Sequence, residues 1–316
     1  MKPGAFLAAR GNGFAIALLA LVSAVAVACA SVPGAPSESR IPAEAEAGAD
    51  AGTLTTILAT KDLRVGTQRV SFLLVTPSAL VKSPTASVTT RRLDGNGEVV
   101  ETKIADFHLW PYGIRGAYST ELTFDRPGKW RLEVSVQDGD FAGSGRLDVD
   151  IAEKSLVPDV GNAPPLSRTK TLGNTGDVQL LTTDFTPDPD LYQISIADAI
   201  ESNRPAVIVF ATPAFCTSPT CGPQVDTVSE LKDAHLGEAS FIHVEIYDNP
   251  EEIQGDLSRA RFTEAVGEWK LDRLPDWFNE SWTFVLNSEG RIHQRFEGFV
   301  TLEELEESLQ QVLVEG

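Results

Sequence analysis

The stretch that most restricts the fold is Ala206-Val-Ile-Val-Phe-Ala211. It is short, wholly apolar and bounded by Pro205 and Pro213. A run of this length suits a strand and is too short for an independent helix. It lacks polar alternation, so both faces must be covered, which marks a central strand between two packed layers. A loop with two cysteines, Cys216 and Cys221, comes next. Val225, Val228 and Leu231 then recur at helical spacing. Ser240 to Tyr247 reads as a second strand and Arg259 to Trp269 as a helix. Trp282 to Leu286 is a strand that Asn287-Ser-Glu-Gly290 turns into Arg291–Phe296. The last helix opens on Thr301 with Glu304, a capping box, and buries Leu302, Leu305, Leu309 and Val312. Residues 178–316 therefore read β-α-β-α-β-β-α.

The preceding residues obey another period. Trp130, Leu132, Val134 and Val136 alternate with Arg131, Glu133, Ser135 and Gln137. Leu147, Val149 and Ile151 alternate with Arg146, Asp148 and Asp150. Arg69–Val75 is a strand closed by Pro77, and Asp94-Gly-Asn-Gly97 turns Ser87–Arg92 into Glu98–Ile104. Period two with turns at this spacing predicts an antiparallel β-sandwich over 54–154. Pro127-Gly-Lys-Trp130 resembles the penultimate hairpin of immunoglobulin-like extracytoplasmic modules. Residues 155–177, with Pro158, Pro164 and Pro165 and no sustained periodicity, read as an interdomain linker.

Residues 1–28 read as an export signal, with Lys2 and Arg10 before an apolar run from Phe14 to Ala28. That run is shorter than the roughly 20 residues of a spanning helix. It ends in Ala26-Val-Ala-Cys29, which resembles a bacterial lipobox, with Ala26 where that motif prefers Leu. The resemblance implies lipidation at Cys29 and anchoring to the outer face of the cytoplasmic membrane; ordinary cleavage and secretion is the alternative. Residues 29–53, rich in Ala, Pro, Glu, Ser and Gly, read as a flexible tether. The chain has 45 acidic against 26 basic residues, a formal charge of −19. Such a balance repels polyanions and excludes nucleic acid as a partner.

With Cys29 set aside, two cysteines remain of the three. In an oxidising compartment they are expected to pair. So short a loop removes little unfolded-state entropy, which argues for chemistry over stapling. Phe210-Ala-Thr-Pro-Ala-Phe-Cys216-Thr-Ser-Pro-Thr-Cys221-Gly-Pro223 looks like the active-site turn of thioredoxin-like and redoxin-like proteins. Thr283–Gly290 through Phe296-Glu-Gly298 resembles the last hairpin of membrane-tethered bacterial thioredoxins of the TlpA-like kind. The resemblance covers roughly 178–316. It implies an α/β thioredoxin-like domain there; with the period-two half, which lies outside the resemblance, the chain is expected to be α+β and multidomain, an immunoglobulin-like β-sandwich followed by that domain. Two departures stand out. Gln224 occupies the place of the second cysteine of Cys-x-x-Cys, and no proline stands at Asn279-Glu-Ser-Trp-Thr283, where the family places its cis-proline.

The function implied by the resemblance is that of an extracytoplasmic thiol–disulfide oxidoreductase acting through a Cys-x4-Cys pair. A sulfur at a helix N-terminus has a lowered pKa. Cys221, before Gly222-Pro223, is therefore the expected nucleophile, with Cys216 resolving; the reverse assignment is the alternative, since Cys216 lies on the outer side of the loop. Ser281, Trp282, Pro213 and Pro223 are candidates for a substrate groove, while core packing is the default for Trp269, Trp277 and Trp282. The partners implied are protein thiols or disulfides of the cell envelope, and the membrane through the lipid; no cofactor and no metal is implied. The alternative is a non-catalytic envelope lipoprotein with a structural disulfide. A peroxiredoxin would need Pro-x-x-x-Thr-x-x-Cys, but after Pro213 and Thr217 position 220 is Thr and the cysteine comes one residue late. A Sco-type copper chaperone would need Cys-x-x-x-Cys and a histidine just before the late hairpin. His108, His235, His243 and His293 do not supply it, and each reads as an ordinary satisfied or solvent-facing side chain.

Overall fold

The computed structural model describes residues 52–94, 97–111, 113 and 115–315. The signal segment, Cys29 and nearly all of the tether lie outside them, as do Gly95 and Asn96 of the first predicted turn. Among the described residues no helix is long and apolar enough to cross a membrane.

Eight strands come first: β1 (Gly52–Thr53), β2 (Thr55–Leu58), β3 (Gly66–Val75), β4 (Thr85–Arg92), β5 (Val99–Leu109), β6 (Gly116–Phe124), β7 (Gly128–Asp138) and β8 (Phe141–Ile151). Their order is β1-β8-β7-β4-β5-β6-β3-β2. Only Leu54 separates β1 from β2, yet β1 pairs with β8 in parallel and β2 pairs with β3 antiparallel. One short segment thus closes both ends of the order. It can approach because β8 carries Gly145, where a Cβ would stand 2.7 Å from the Leu54 carbonyl oxygen. The alternation read around Trp130 holds: Trp130, Leu132, Val134 and Val136 are buried in the strand core beside Val70, Phe72 and Leu74. Each such side chain taken from water contributes about 1.5–3 kcal/mol. The Trp130 ring meets Phe124 edge-on at 5.1 Å.

The second lobe contains α1 (Leu172–Thr175), α2 (Ile196–Glu201), β9 (Ala206–Ala211), α3 (Cys221–Ala234), β10 (Ser240–Glu245), α4 (Pro250–Ile253), α5 (Glu264–Glu268), β11 (Trp282–Leu286), β12 (Ile292–Glu297) and α6 (Leu302–Glu315). The sheet order is β10-β9-β11-β12, with β10 parallel to β9 and β11 antiparallel to both β9 and β12. This is a thioredoxin-like arrangement. All six residues of β9 are buried, as their composition requires. Ala206, Ile208 and Phe210 enter one core with Trp269, Trp282 and Phe284. Val207, Val209 and Ala211 enter the other with Val228, Leu231 and Leu309. The capping box of α6 is present: the Thr301 amide donates to Glu304 Oε2 at 3.0 Å, and the Glu304 amide to Thr301 Oγ1 at 3.2 Å.

Two segments differ from their reading. The helix expected over Arg259–Trp269 shrinks to α5, Glu264–Glu268. Phe262 forms a bridge with Tyr247 instead. The Asn249 side chain accepts from the Arg261 amide and donates to the Arg259 carbonyl, each at 3.0 Å. Those bonds hold residues 259–262 out of helical geometry. The stretch read as a linker is packed along the second lobe. Val157 joins its core, Gly161 and Asn162 exchange backbone bonds with Ile292, and Ser167 accepts from the Trp269 indole at 3.1 Å.

Buried charge joins the lobes. Arg295 of β12 pairs with Asp62 at 2.7 Å and with Asp159 at 3.3 Å. Asp159 also meets Arg64 at 2.5 Å. Glu297 accepts from the Lys61 and Asp62 amides at 2.7 and 3.2 Å. Arg69 of β3 binds Glu304 of α6 at 2.7 and 3.2 Å. Burial alone would raise the Glu304 pKa; the charge and hydrogen bonds of Arg69, with the Thr301 amide, outweigh it and bring it down to about 2. A carboxylate held below its unfolded value stabilises the fold above the ordinary carboxylate range, and that contribution disappears as pH falls through the folded value. Glu304→Gln is therefore expected to cost about 2–3 kcal/mol at neutral pH. The wild type should lose that same advantage between pH 4.5 and 2. Urea unfolding of both proteins across that range measures it, and parallel curves at every pH would contradict the account.

Candidate active site

The site begins where β9 ends. The Thr212 carbonyl accepts from the Phe215 and Cys216 amides at 3.2 and 3.0 Å, which curls the chain into the cysteine loop. The loop runs to Thr220, the residue before α3. The Thr220 side chain does not cap this helix, so its first amides and its dipole face the cysteine loop. Cys216 and Cys221 form a disulfide with Cα atoms 5.9 Å apart. The two sulfurs differ in access. Cys221, the first helical residue, is 0% exposed and part of the core beneath α3, whereas Cys216 is only partly buried. Gln224, at the position of the second cysteine of the usual motif, is fully buried. Its Oε1 accepts from the Val300 amide at 2.8 Å, so it ties α3 to the chain entering α6.

The place expected for a proline is filled by Asn279. Its backbone is left-handed, with φ of 53°, a conformation that Asn tolerates better than most residues. Its carbonyl oxygen lies 3.7 Å from the Cys216 sulfur and 3.6 Å from the Cys221 sulfur. Its buried side chain uses both ends. Nδ2 donates to the Phe215 carbonyl at 2.7 Å and to the Tyr247 hydroxyl at 3.0 Å. Oδ1 accepts from the Thr217 amide at 2.9 Å and the Thr217 hydroxyl at 3.0 Å. The Ser218 hydroxyl adds a bond to Glu280 at 2.6 Å. One asparagine thus holds the cysteine loop on the chain that precedes β11. Its only signal in the sequence is an Asn within a run of turn-forming residues; its partners lie far away in the chain.

Beneath the loop is a second unforeseen group. Glu245 ends β10 and is buried. It accepts from the Thr183 amide and hydroxyl, both at 2.8 Å, and the same hydroxyl accepts from the Ala214 amide at 3.1 Å. Burial pushes its pKa up to about 7 against the pull of these bonds. His243, two residues earlier on β10, accepts from the Tyr192 hydroxyl at 2.7 Å and donates to the Ala211 carbonyl at 3.2 Å. Burial takes its pKa down to about 4, so it stays neutral. Both nitrogens are engaged, in keeping with the bland reading of this histidine. His235 is clamped by Glu238 and Glu306, and His293 bonds Gln311 at 2.9 Å.

The disulfide opens onto a cleft of about 730 Å³. Pro213 and Pro223 line it. Ser281 and Trp282 do not. They are 0% and 1% exposed, and Trp282 stacks on Phe284 at 5.7 Å inside the core. β11 is an inner strand covered on both faces, which buries Trp282 and the Ser281 before it; Trp269 and Trp277 are core residues as well. The opposite wall belongs to the other lobe: Trp110, Pro111 and Arg115, from the tip between β5 and β6.

No protein-family model matches the chain, and no curated protein matches it. Among solved structures it is similar to a thioredoxin-family thiol:disulfide interchange protein from Chlorobium tepidum TLS, across 49% of this chain and 99% of that one, at 11% identity and a TM-score of 0.30. It is also similar to the PKD domain of human SorCS2, across 41% and 98%, at 16% identity and a TM-score of 0.20. A third likeness is to the PKD domain of human KIAA0319, across 38% and 98%, at 15% identity and a TM-score of 0.20. At these identities and scores, the chemistry has to come from the site itself.

Asn279→Ala removes all four side-chain bonds and places a less tolerant residue at positive φ. Lost buried hydrogen bonds cost about 1–3 kcal/mol each when a partner is stranded. The variant is expected to lose roughly 3 kcal/mol of stability. Its amide at Thr217 should also exchange with deuterium faster, which hydrogen exchange reads. Unchanged protection in the cysteine loop would show that Asn279 does not hold it.

Proposed function

We propose that the protein is a thiol–disulfide oxidoreductase working through Cys216 and Cys221. One observation carries this reading. The pair sits at the uncapped start of α3, with one sulfur open to a cleft and the other buried behind it. A nucleophile needs a thiolate, and a helix start favours it. An exchange partner needs access, and only Cys216 offers it. The roles therefore reverse from the sequence expectation: Cys216 is the attacking sulfur and Cys221 resolves. In the reducing direction the Cys216 thiolate attacks a substrate disulfide, and one substrate thiol leaves. The Cys221 thiolate then attacks the Cys216 sulfur, the mixed disulfide breaks, and the second substrate thiol is released as the internal disulfide forms. Oxidation of a substrate dithiol is the same sequence run backwards.

The finer reading belongs to this proposal. An immunoglobulin-like sandwich precedes a thioredoxin-like domain of the membrane-tethered kind. Cys29 anchors the chain on the outer face of the cytoplasmic membrane, and the substrates are thiols or disulfides of envelope proteins. The apolar run and lipobox-like ending support the anchor. A second reading has its own support. Asn279 and the burial of Cys221 restrain the loop, as a structural disulfide would require.

Redox titration separates the two. Exchange catalysts have potentials of about −120 to −270 mV, whereas structural disulfides lie below about −300 mV. The expected potential is in the upper range, and a pair still oxidised below about −300 mV would sink the exchange reading. In cells, Cys221→Ser should accumulate mixed disulfides through Cys216, while Cys216→Ser should not. Cys29→Ser should move the protein from the membrane fraction to the soluble one; retention in the membrane would remove the lipid anchor from the proposal.

A further inference from the structure

The cleft over the disulfide has a wall that exchange chemistry does not require. It is the tip of the β5–β6 hairpin, contributed by the strand lobe. Among the described residues of this tip, Trp110, Gly113 and Arg115 are tied by hydrogen bonds. The Trp110 amide donates to the Arg115 carbonyl at 2.8 Å, and the Gly113 amide to the Trp110 carbonyl at 3.1 Å. The Lys82 ammonium donates to the Gly113 carbonyl at 3.2 Å. At its base Gly116 admits the close crossing, because a Cβ there would stand 2.5 Å from both the His108 carbonyl oxygen and the Phe107 ring. The lobes are locked by the Arg295 and Arg69 ion pairs, so the tip stays over Cys216.

Its chemistry is uneven. Across from Trp110 and Pro111 stand Pro213, Pro219 and Pro223, which bring no amide hydrogen to the cleft. An extended segment lying there would find apolar walls and few donors. Arg115 is the one charged side chain among the described residues that line it. A guanidinium presents a planar fork that matches a carboxylate. Arg115 is exposed at the mouth of the cleft, where that attraction falls with added salt. The chain as a whole carries −19, so its surface repels acidic segments and other copies of itself. The cleft is then where an acidic segment meets its complement. Its volume, about 730 Å³, falls in the range of pockets that bury a drug-sized ligand.

We propose that the β5–β6 tip selects the substrate: the cleft receives an extended, cysteine-bearing segment of a partner protein, with an apolar side chain against Trp110 and a carboxylate beside the cysteine against Arg115. The inference rests on the redox reading of the pair, and its test is built to fail separately. Two ten-residue peptides, identical except for Asp or Lys flanking the central position, carry serine there in place of the cysteine. Binding to the oxidised protein is read by calorimetry, and turnover of 2-hydroxyethyl disulfide reads the redox chemistry on its own. The wild type is expected to bind the Asp peptide about tenfold more tightly than the Lys peptide. Arg115→Glu should invert that ratio, and Trp110→Ala should weaken both peptides about tenfold while keeping it. Wild-type unfolding midpoints in the two variants establish that they fold. Equal binding of the two peptides, or a ratio that Arg115→Glu leaves unchanged, overturns the inference, as does a dimer in sedimentation that Trp110→Ala dissolves. Failure to turn over 2-hydroxyethyl disulfide with the binding ratio intact overturns the redox reading and leaves the selective cleft standing.

Discussion

Arg295 holds the molecule's parts in register. It is 8% exposed, and its guanidinium sits among Asp62, Asp159 and the Ser155 hydroxyl. Removing charges from water costs several kcal/mol per ion unless partners replace the lost hydration. Here the partners of this β12 residue come from two separate stretches: the segment after β2 and the stretch after β8. Separating the lobes would part Arg295 from Asp62. Arg295 meets Asp62 and Asp159 together only in this arrangement, so the pairs fix the register of the lobes. The geometry of the cleft is a result, because Trp110 and Arg115 reach it only from the strand lobe.

Much of this is readable in the sequence where the deciding interactions are local. The composition of Ala206–Ala211 alone requires two covered faces, and both cores meet on that strand. Thr301 and Glu304 are three residues apart and cap α6 as their spacing implies. The alternation around Trp130 survives for the same reason. Readings fail where distant residues decide. Asn249 unwinds the start of the helix expected over Arg259–Trp269, and no local propensity announces it. The stretch from Ser155 lacks periodicity because it packs residue by residue against β12 and Trp269 rather than forming an element. Ser281 and Trp282 stand at the expected end of the sheet, but β11 is an inner strand with both faces covered, so they are buried. Asn279 and Glu245 carry no local mark because their roles rest on partners such as Phe215, Thr217 and Thr183.

The cysteine loop is held on two sides by groups of different kinds. Asn279 acts through four neutral hydrogen bonds and is indifferent to pH. Glu245 acts through Thr183 and carries an acid whose pKa is pushed up to about 7 by burial. An acid raised above its unfolded value favours the fold fully below the ordinary carboxylate range, and that advantage is lost as pH rises through the folded value. The bonds from Thr183 favour the ionised carboxylate, so ionisation tightens the contact that leads to Ala214 while its burial cost weakens the fold around it. The loop thereby combines a fixed clamp with a support that responds to the medium.

The closure of the first sheet has a mechanical side. The chain enters at β1, which pairs with β8, and continues after one residue into β2, which pairs with β3. A pull on Gly52 runs along both pairings and loads their hydrogen bonds side by side rather than opening them one after another. The first strand would have to slide past Gly143 and Gly145, against which Leu54 is wedged. Tension arriving at Gly52 is therefore shared between two strand pairs at the entry to the fold.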